Sequence, residues 1–425
     1  MDNTTGQRSI TIRLPAITLT VPVPRLNFGT TWRRRLRSSW IVAPLFVFFL
    51  TRVIAFSSAY IGEISIPGQN SDQFWHAAPD NLFLDVWARW DSGFYMRIVT
   101  MGYEYQKGTQ SSVAFFPVYP LLMSFLQPLV GSELLAGVLV SNLSLLGALM
   151  FLYRLALFEF GDEPTARRTI FYISIFPTAF FFSAVYTEST FLLVSVATIY
   201  FARKRLWAWA TLFGVLCAAT RIIGALVWGV VLIEWMRASG WTLDRVLKRD
   251  TWVALFSALR RDWPTVLLIT LIPLGMLSYS LFLKRTFDDP IAFWTAQAAW
   301  GRQASGPLTI LIDRVQKLLT SNPLDGNIEL LDLINVLTFF AGMAVAVAVW
   351  RRLGLSYAVY TVASLLIPAS SGTGSLIRYV LVVFPIFMIL GQWGRYQLLN
   401  RAIIVGFGVF LGILTTVFVN WVFVA

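Results

Sequence analysis

The stretch FFPVYPLLMSFLQPLV, residues 115–130, is apolar enough to enter a bilayer, and whether it crosses decides how the whole chain is threaded. A longer apolar run, from about 134 to 158, follows almost at once. If both crossed, Arg167 and Arg168 would emerge on the side opposite the other basic loops, against the tendency of Lys and Arg to remain cytoplasmic. The Pro-rich piece is therefore read as an interfacial or re-entrant element and the second run as a span.

Working outward, runs of roughly 20 apolar residues, the length that crosses ~30 Å of hydrocarbon, recur from residue 39 onward. Seventeen Trp, a charged fraction of 13% and a mean hydropathy of +0.67 exclude an ordinary water-soluble domain. The expected fold class is an all-α polytopic membrane protein with about eleven transmembrane helices and amphipathic helical structure in its first extracytoplasmic loop. The spans fall near 39–59, 134–158, 169–185, 187–202, 206–220, 222–236, 263–283, 329–350, 355–370, 376–393 and 402–424. Each basic cluster then comes out cytoplasmic: Arg167 with Arg168, RKR at 203–205, the 237–261 loop, Arg351 with Arg352, and Arg395 with Arg401.

The net charge of +12 is thus explained by loops facing the cytoplasm, and nucleic acid is not an expected partner. Residues 1–38 are polar, broken by Pro and end in RRRLR, which reads as a mostly disordered basic cytoplasmic tail without a signal peptide's apolar centre. Residues 39–425 form the membrane domain. The single Cys217 excludes an intrachain disulfide and a cysteine-based metal site. The four spans between 169 and 236 are short, which suits a water-filled cavity open to the outside.

With this threading the polar residues that charge bias does not explain gather on the extracytoplasmic side, in loops 60–113 and 284–328 and in the tight outer turns. Asp91, in RWDSGFYMRIVTMGYEY (89–105), reads two ways that are not exclusive: a general base toward a hydroxyl, or the N-cap of the helix SGFYMRIVTMG. Arg221 and Arg378 suit a phosphate, because a guanidinium is a rigid fork of donors with a permanent charge, or else they snorkel to the interface. The glycines of SGTGSLIR precede a helix whose first amides would also suit an anion. Glu188, in VYTES, pairs with an arginine or touches substrate directly. His76 reads as a solvated loop residue, and Asp288–Asp289 as a weak metal pair.

In order along the chain, RWDSGFYMRIVTMGYEY, AFFPVYPLL, FPTAFFFSAVYTES (176–189), AATRIIG (218–224), AFWTAQAAWGR (292–302) and RYVLVVFPIF (378–387) resemble the GPI mannosyltransferase 2 (PIG-V) family and its bacterial relatives. These are membrane glycosyltransferases of the GT-C superfamily. The resemblance implies transfer of mannose, with inversion, from a polyprenyl-phosphate-linked sugar donor to a hydroxyl acceptor on the extracytoplasmic face, with no obligatory metal or other cofactor. Asp91 would be the catalytic base. Substrate binding would fall to Arg89, Trp90, Tyr119, Glu188, Arg221, Gln297, Trp300, Arg302, Arg378 and Tyr379, with Phe115 and Phe116 at the entrance to the site or else in an aromatic belt. The implied partners are that donor, a glycolipid or other hydroxyl acceptor, and membrane lipids. Nothing resembles an endoplasmic-reticulum retrieval signal, so the expected place is the plasma membrane and the acceptor is not a GPI anchor.

Two alternatives stay open on the sequence. One is a related transferase that uses another lipid-linked sugar or a protein acceptor. The other is a transporter or lipid flippase, which would gain if 206–236 were a single helix with Arg221 at its middle.

Overall fold

A computed structural model describes residues 9–14, 17–22, 39–66, 75–301, 307–320, 330–370 and 372–424. The chain divides into two compact units at Ala43 and Pro44. In the first unit β1 (Ser9–Leu14) and β2 (Ile17–Pro22) pair as an antiparallel hairpin, with Ser9 opposite Pro22 and Leu14 opposite Ile17. The stretch was expected to be mostly without regular structure, but Ile and Thr alternate there with the period of two that a strand requires.

The second unit begins at Pro44, within the first helix, and is helical. Helix α1 (Ser39–Ser65) is followed by the turn Leu82–Asp85, α2 (Ser92–Met101), α3 (Val118–Val130), α4 (Glu133–Phe160), α5 (Glu163–Ser174), α6 (Glu188–Arg203), α7 (Trp207–Ala218) and α8 (Val227–Ala238). After them come α9 (Arg249–Arg261), α10 (Trp263–Ile269), α11 (Leu274–Phe287), α12 (Pro307–Thr320), α13 (Leu330–Leu353), α14 (Leu355–Ala369), α15 (Leu376–Leu381), α16 (Phe384–Trp393) and α17 (Gln397–Val419).

Among the described residues α1, α4, α13 and α17 are long and apolar enough to cross a membrane, and α10 with α11, bent by 45°, makes a fifth if it is one span. Eleven full crossings are not distinguished by length alone, because α3, α7, α14 and α16 are apolar but only 10 to 15 residues long. At 1.5 Å per residue the 13 residues of α3 reach about 20 Å, short of the ~30 Å of a hydrocarbon core. Helix α3 packs along α4 instead. Its start follows from Pro117 at the N-cap and its end from Gly131, whose left-handed φ of 75° few other residues adopt without strain.

Helix α4 starts where the Ser132 hydroxyl accepts from the Leu135 amide, and α5 where the Asp162 carboxylate accepts from the Thr165 amide. The interior is built around α4 and α6, which lie side by side, with α5 against α4 and α16, and α7 against α6 and α11. At one end of this bundle Arg203 is held by Glu159 at 2.5 and 2.7 Å and by Glu234 at 3.2 Å, tying α4, α6 and α8 together. At the other end the breaks between short helices leave a cavity.

Candidate active site

Four segments meet there. Asp91 enters at the start of α2, Glu188 at the start of α6, Arg221 in the break between α7 and α8, and Arg378 from α15. Because 206–236 is interrupted at Arg221, that arginine does not sit at the middle of one helix, and the condition that favoured a transporter is not met.

The cavity has a volume of about 590 Å³ and is lined by Asp91, Arg221, Gln297, Trp300, Arg378 and Tyr379, together with Tyr95, Phe115, Phe116, Trp294 and Phe423 among others. Glu188 stands behind the lining, fully buried, and its Oε1 accepts from Arg221 Nη1 at 2.8 Å and from Arg378 Nε at 2.5 Å. A carboxylate at a helix N-terminus is favoured by the helix dipole, and two guanidiniums on one oxygen fix each other's orientation. Its Oε2 is buried and has no hydrogen-bond partner among the described residues. Arg378 Nη1 reaches across to Asp91 Oδ2 at 3.2 Å. Both arginines also rest on rings: Arg378 lies 4.6 Å from the centroid of Tyr186, and Arg221 lies 5.3 Å from that of Tyr379.

Asp91 occupies the N-cap position of α2, yet its side chain makes no cap bond. The carboxylate is turned to the cavity and Arg378, so a capping role does not account for it. Its amide donates to Tyr186 Oη at 3.1 Å, and that hydroxyl donates in turn to the Arg89 carbonyl at 3.1 Å, which fixes the backbone on both sides of Trp90. With Glu188, Arg221 and Arg378 the cluster holds two carboxylates and two guanidiniums and is neutral as a whole.

Three residues expected to bind substrate are placed elsewhere. Arg89 is fully buried, donating to Asp85 Oδ2 at 2.7 Å and to the Val419 carbonyl at 2.9 Å, so its donors are taken up by the protein. Trp90 lies against Trp421 and Phe423, outside the lining. The Tyr119 hydroxyl is buried between the Gly137 carbonyl at 3.0 Å and Ser141 at 2.8 Å. Arg302 lies outside the described residues. His76, expected as a solvated loop residue, bonds Asp85 at 2.7 Å. Burial alone would raise the Asp85 carboxyl, but the Ala78 amide, His76 and Arg89 together hold it below the usual carboxylate value.

The second loop covers the cavity through the turns Ala292–Thr295 and Ala296–Trp300. It is latched by Tyr105, whose hydroxyl donates to Asp289 Oδ2 at 3.0 Å and lies 2.9 Å from Thr295 Oγ1. Asp289 is thereby engaged, while Asp288 pairs with Lys284 on α11 and ends that helix. The two carboxylates have separate partners, contrary to a shared metal pair. The SGTGSLIR cradle is also partly occupied, since the Ile377 amide donates to Asn335 Oδ1 at 2.9 Å and α15 is six residues long.

Tyr95 was missed by the sequence reading. It lies four residues after Asp91 on the same face of α2, the signal that would have found it, and burial raises its phenol so that it stays a donor. Phe423 was missed because nothing local ties it to Asp91.

No curated protein sequence matches the chain. The crystal structure of the Archaeoglobus fulgidus oligosaccharyltransferase is similar over 89% of this chain and 53% of its own, at 14% identity and a TM-score of 0.41, so this chain spans about half the length of that protein. A sequence model described as mannosyltransferase (PIG-V) matches residues 39–281, more than half of the chain and the part that supplies Asp91, Glu188 and Arg221. The chain belongs to the mannosyltransferase (PIG-V) family of membrane glycosyltransferases.

Proposed function

We propose that the protein transfers mannose from a polyprenyl-phosphate-mannose donor to a hydroxyl of a lipid-linked or glycolipid acceptor on the extracytoplasmic face, inverting the anomeric carbon. The observation that carries this reading is one carboxylate, Asp91, facing two oriented guanidiniums across a single cavity.

The chemistry needs a base on one side of the sugar and a charge sink on the other. Asp91 accepts the acceptor hydroxyl's proton as its oxygen bonds to C1. The bond from C1 to the phosphate oxygen breaks with its electron pair on the oxygen, and Arg221 and Arg378 stabilise that phosphate. Arg378 has a double allegiance in this scheme. It pairs with Asp91 at 3.2 Å, and a donor phosphate that draws it away frees the Asp91 carboxylate to meet the acceptor hydroxyl. Glu188 keeps both arginines anchored throughout. The apolar remainder of the cavity, Phe115, Phe116 and Ile367 among them, suits the prenyl end of the donor.

The test compares wild type with Asp91→Asn in lipid nanodiscs, with radiolabelled polyprenyl-phosphate mannose as donor and a host lipid extract as acceptor. General-base removal lowers transfer by about 10²–10⁴-fold with donor binding retained. Undiminished transfer by a folded Asp91→Asn variant overturns the assignment of the base, and transfer from other lipid-linked sugars alone overturns the donor.

A further inference from the structure

The chain beyond α17 closes on the segment that carries Asp91. Arg89 Nε donates to the Val419 carbonyl at 2.9 Å, and its guanidinium lies 4.9 Å from the centroid of the Trp421 ring. Asn420 Nδ2 donates to the Gly62 carbonyl near the end of α1 at 3.1 Å. The indole of Trp90 meets Trp421 at 5.8 Å and Phe423 at 5.3 Å between centroids, both edge-to-face.

Trp90 has a left-handed backbone, φ 56°, which is costly for a bulky residue and persists only where the surroundings impose it. It immediately precedes Asp91, so the two C-terminal rings hold the residue that aims the carboxylate. Phe423 does a second thing. It lines the same cavity as Asp91 while keeping 45% of its surface exposed, whereas Phe180, Phe181 and Phe182 in the interior are fully buried. A ring backed edge-on by an indole and open to a cavity that also holds a carboxylate and two guanidiniums suits a partner with one apolar face and a rim of hydroxyls. A pyranose ring has that chemistry.

We propose that Phe423 is a stacking platform for a pyranose ring at Asp91, making the C-terminal turn part of the substrate site. This rests on the transferase reading of Asp91, and the sugar is that of the donor or of the acceptor. The probes are methyl α-D-mannopyranoside and its gluco and galacto analogues, added to full-length protein in nanodiscs and followed by saturation-transfer NMR. Phe423→Leu, which keeps an apolar side chain but no ring, weakens glycoside binding about ten-fold, and Phe423→Tyr keeps it near the wild-type level. Excess citronellyl-phosphate mannose displaces a glycoside bound at the donor's place and leaves one bound at the acceptor's.

Wild-type binding by Phe423→Leu, equal loss in Phe423→Tyr, or no binding of any of the three glycosides to the wild type overturns the platform. Binding needs no transfer, so the two readings fail separately. A fully active Asp91→Asn variant undoes the base without touching the stacking result.

Discussion

At the scale of single residues the site is a balance of charge held by one buried carboxylate. Glu188→Gln removes the carboxylate that pairs with both Arg221 and Arg378, leaving Asp91 on Arg378 as the cluster's remaining ion pair and changing the net charge from zero to +1. Breaking a buried pair from one side costs about 3–5 kcal/mol, so the melting temperature falls. The same excess of positive charge strengthens inhibition of transfer by inorganic phosphate. A variant that melts lower but shows unchanged phosphate inhibition would mean that the arginines do not face an anion. Asp85 allows a separate test in the first loop. Its folded-state carboxyl is held below the usual value by the Ala78 amide, His76 and Arg89, so its contribution to stability is full above about pH 4 and is lost as pH falls through the folded value. Asp85→Asn should therefore flatten the loss of stability below about pH 4, measured by urea unfolding across pH. An acid limb as steep as the wild type's would show that another group carries it.

At the scale of elements the hydropathy pattern found the apolar runs but not their breaks: the run expected over 169–185 ends as a helix at Ser174, with only the turn Ala179–Phe182 before α6, and 376–393 is divided into α15 and α16. It also separated α3 from α4 as two runs. Other features depended on partners far along the chain. The bend between α10 and α11 is one: hydropathy reads 263–283 as continuous, while the packing of Gly275 against α7 is invisible to it. Arg89 and Tyr119 are another, since motif residues that bond Val419 and Ser141 look the same in sequence as motif residues that bond substrate. The pairing of Asp91 with Arg378 was likewise hidden, the two being 287 residues apart. Gly275 gives this scale its prediction. A Cβ there would strike the Val215 carbonyl oxygen, because small residues let helices approach closely inside a membrane. Gly275→Ala forces α11 from α7 at a cost of about 1–3 kcal/mol, read as a lower melting temperature in nanodiscs. Gly229→Ala, at a helical position with open space around it, is the control and should melt as the wild type does.

At the scale of the whole molecule the two ends of the bundle differ in chemistry. The end with Asp91 gathers its charges into a cluster of net zero charge, and the end with Arg203 carries Glu159 and Glu234 in a buried network beside the exposed Arg237 and Arg205. The proposed function needs Asp91 outside and the second end in the cytoplasm, the orientation that charge bias predicts. Impermeant maleimide labelling of intact cells reads the orientation directly. Thr109→Cys, exposed in the first loop, should label without permeabilisation. Leu247→Cys, 98% exposed at the other end, should label only after it. Cys217 is buried and needs no removal, since it stays silent in both conditions. The reverse pattern would put Asp91 in contact with the cytoplasm, where soluble nucleotide-activated sugars are at hand, and the case for a lipid-linked donor would fall with it. Labelling of both positions before permeabilisation would break the alternation of spans between residues 109 and 247 and require one of the short helices α5 to α8 to turn back within the bilayer.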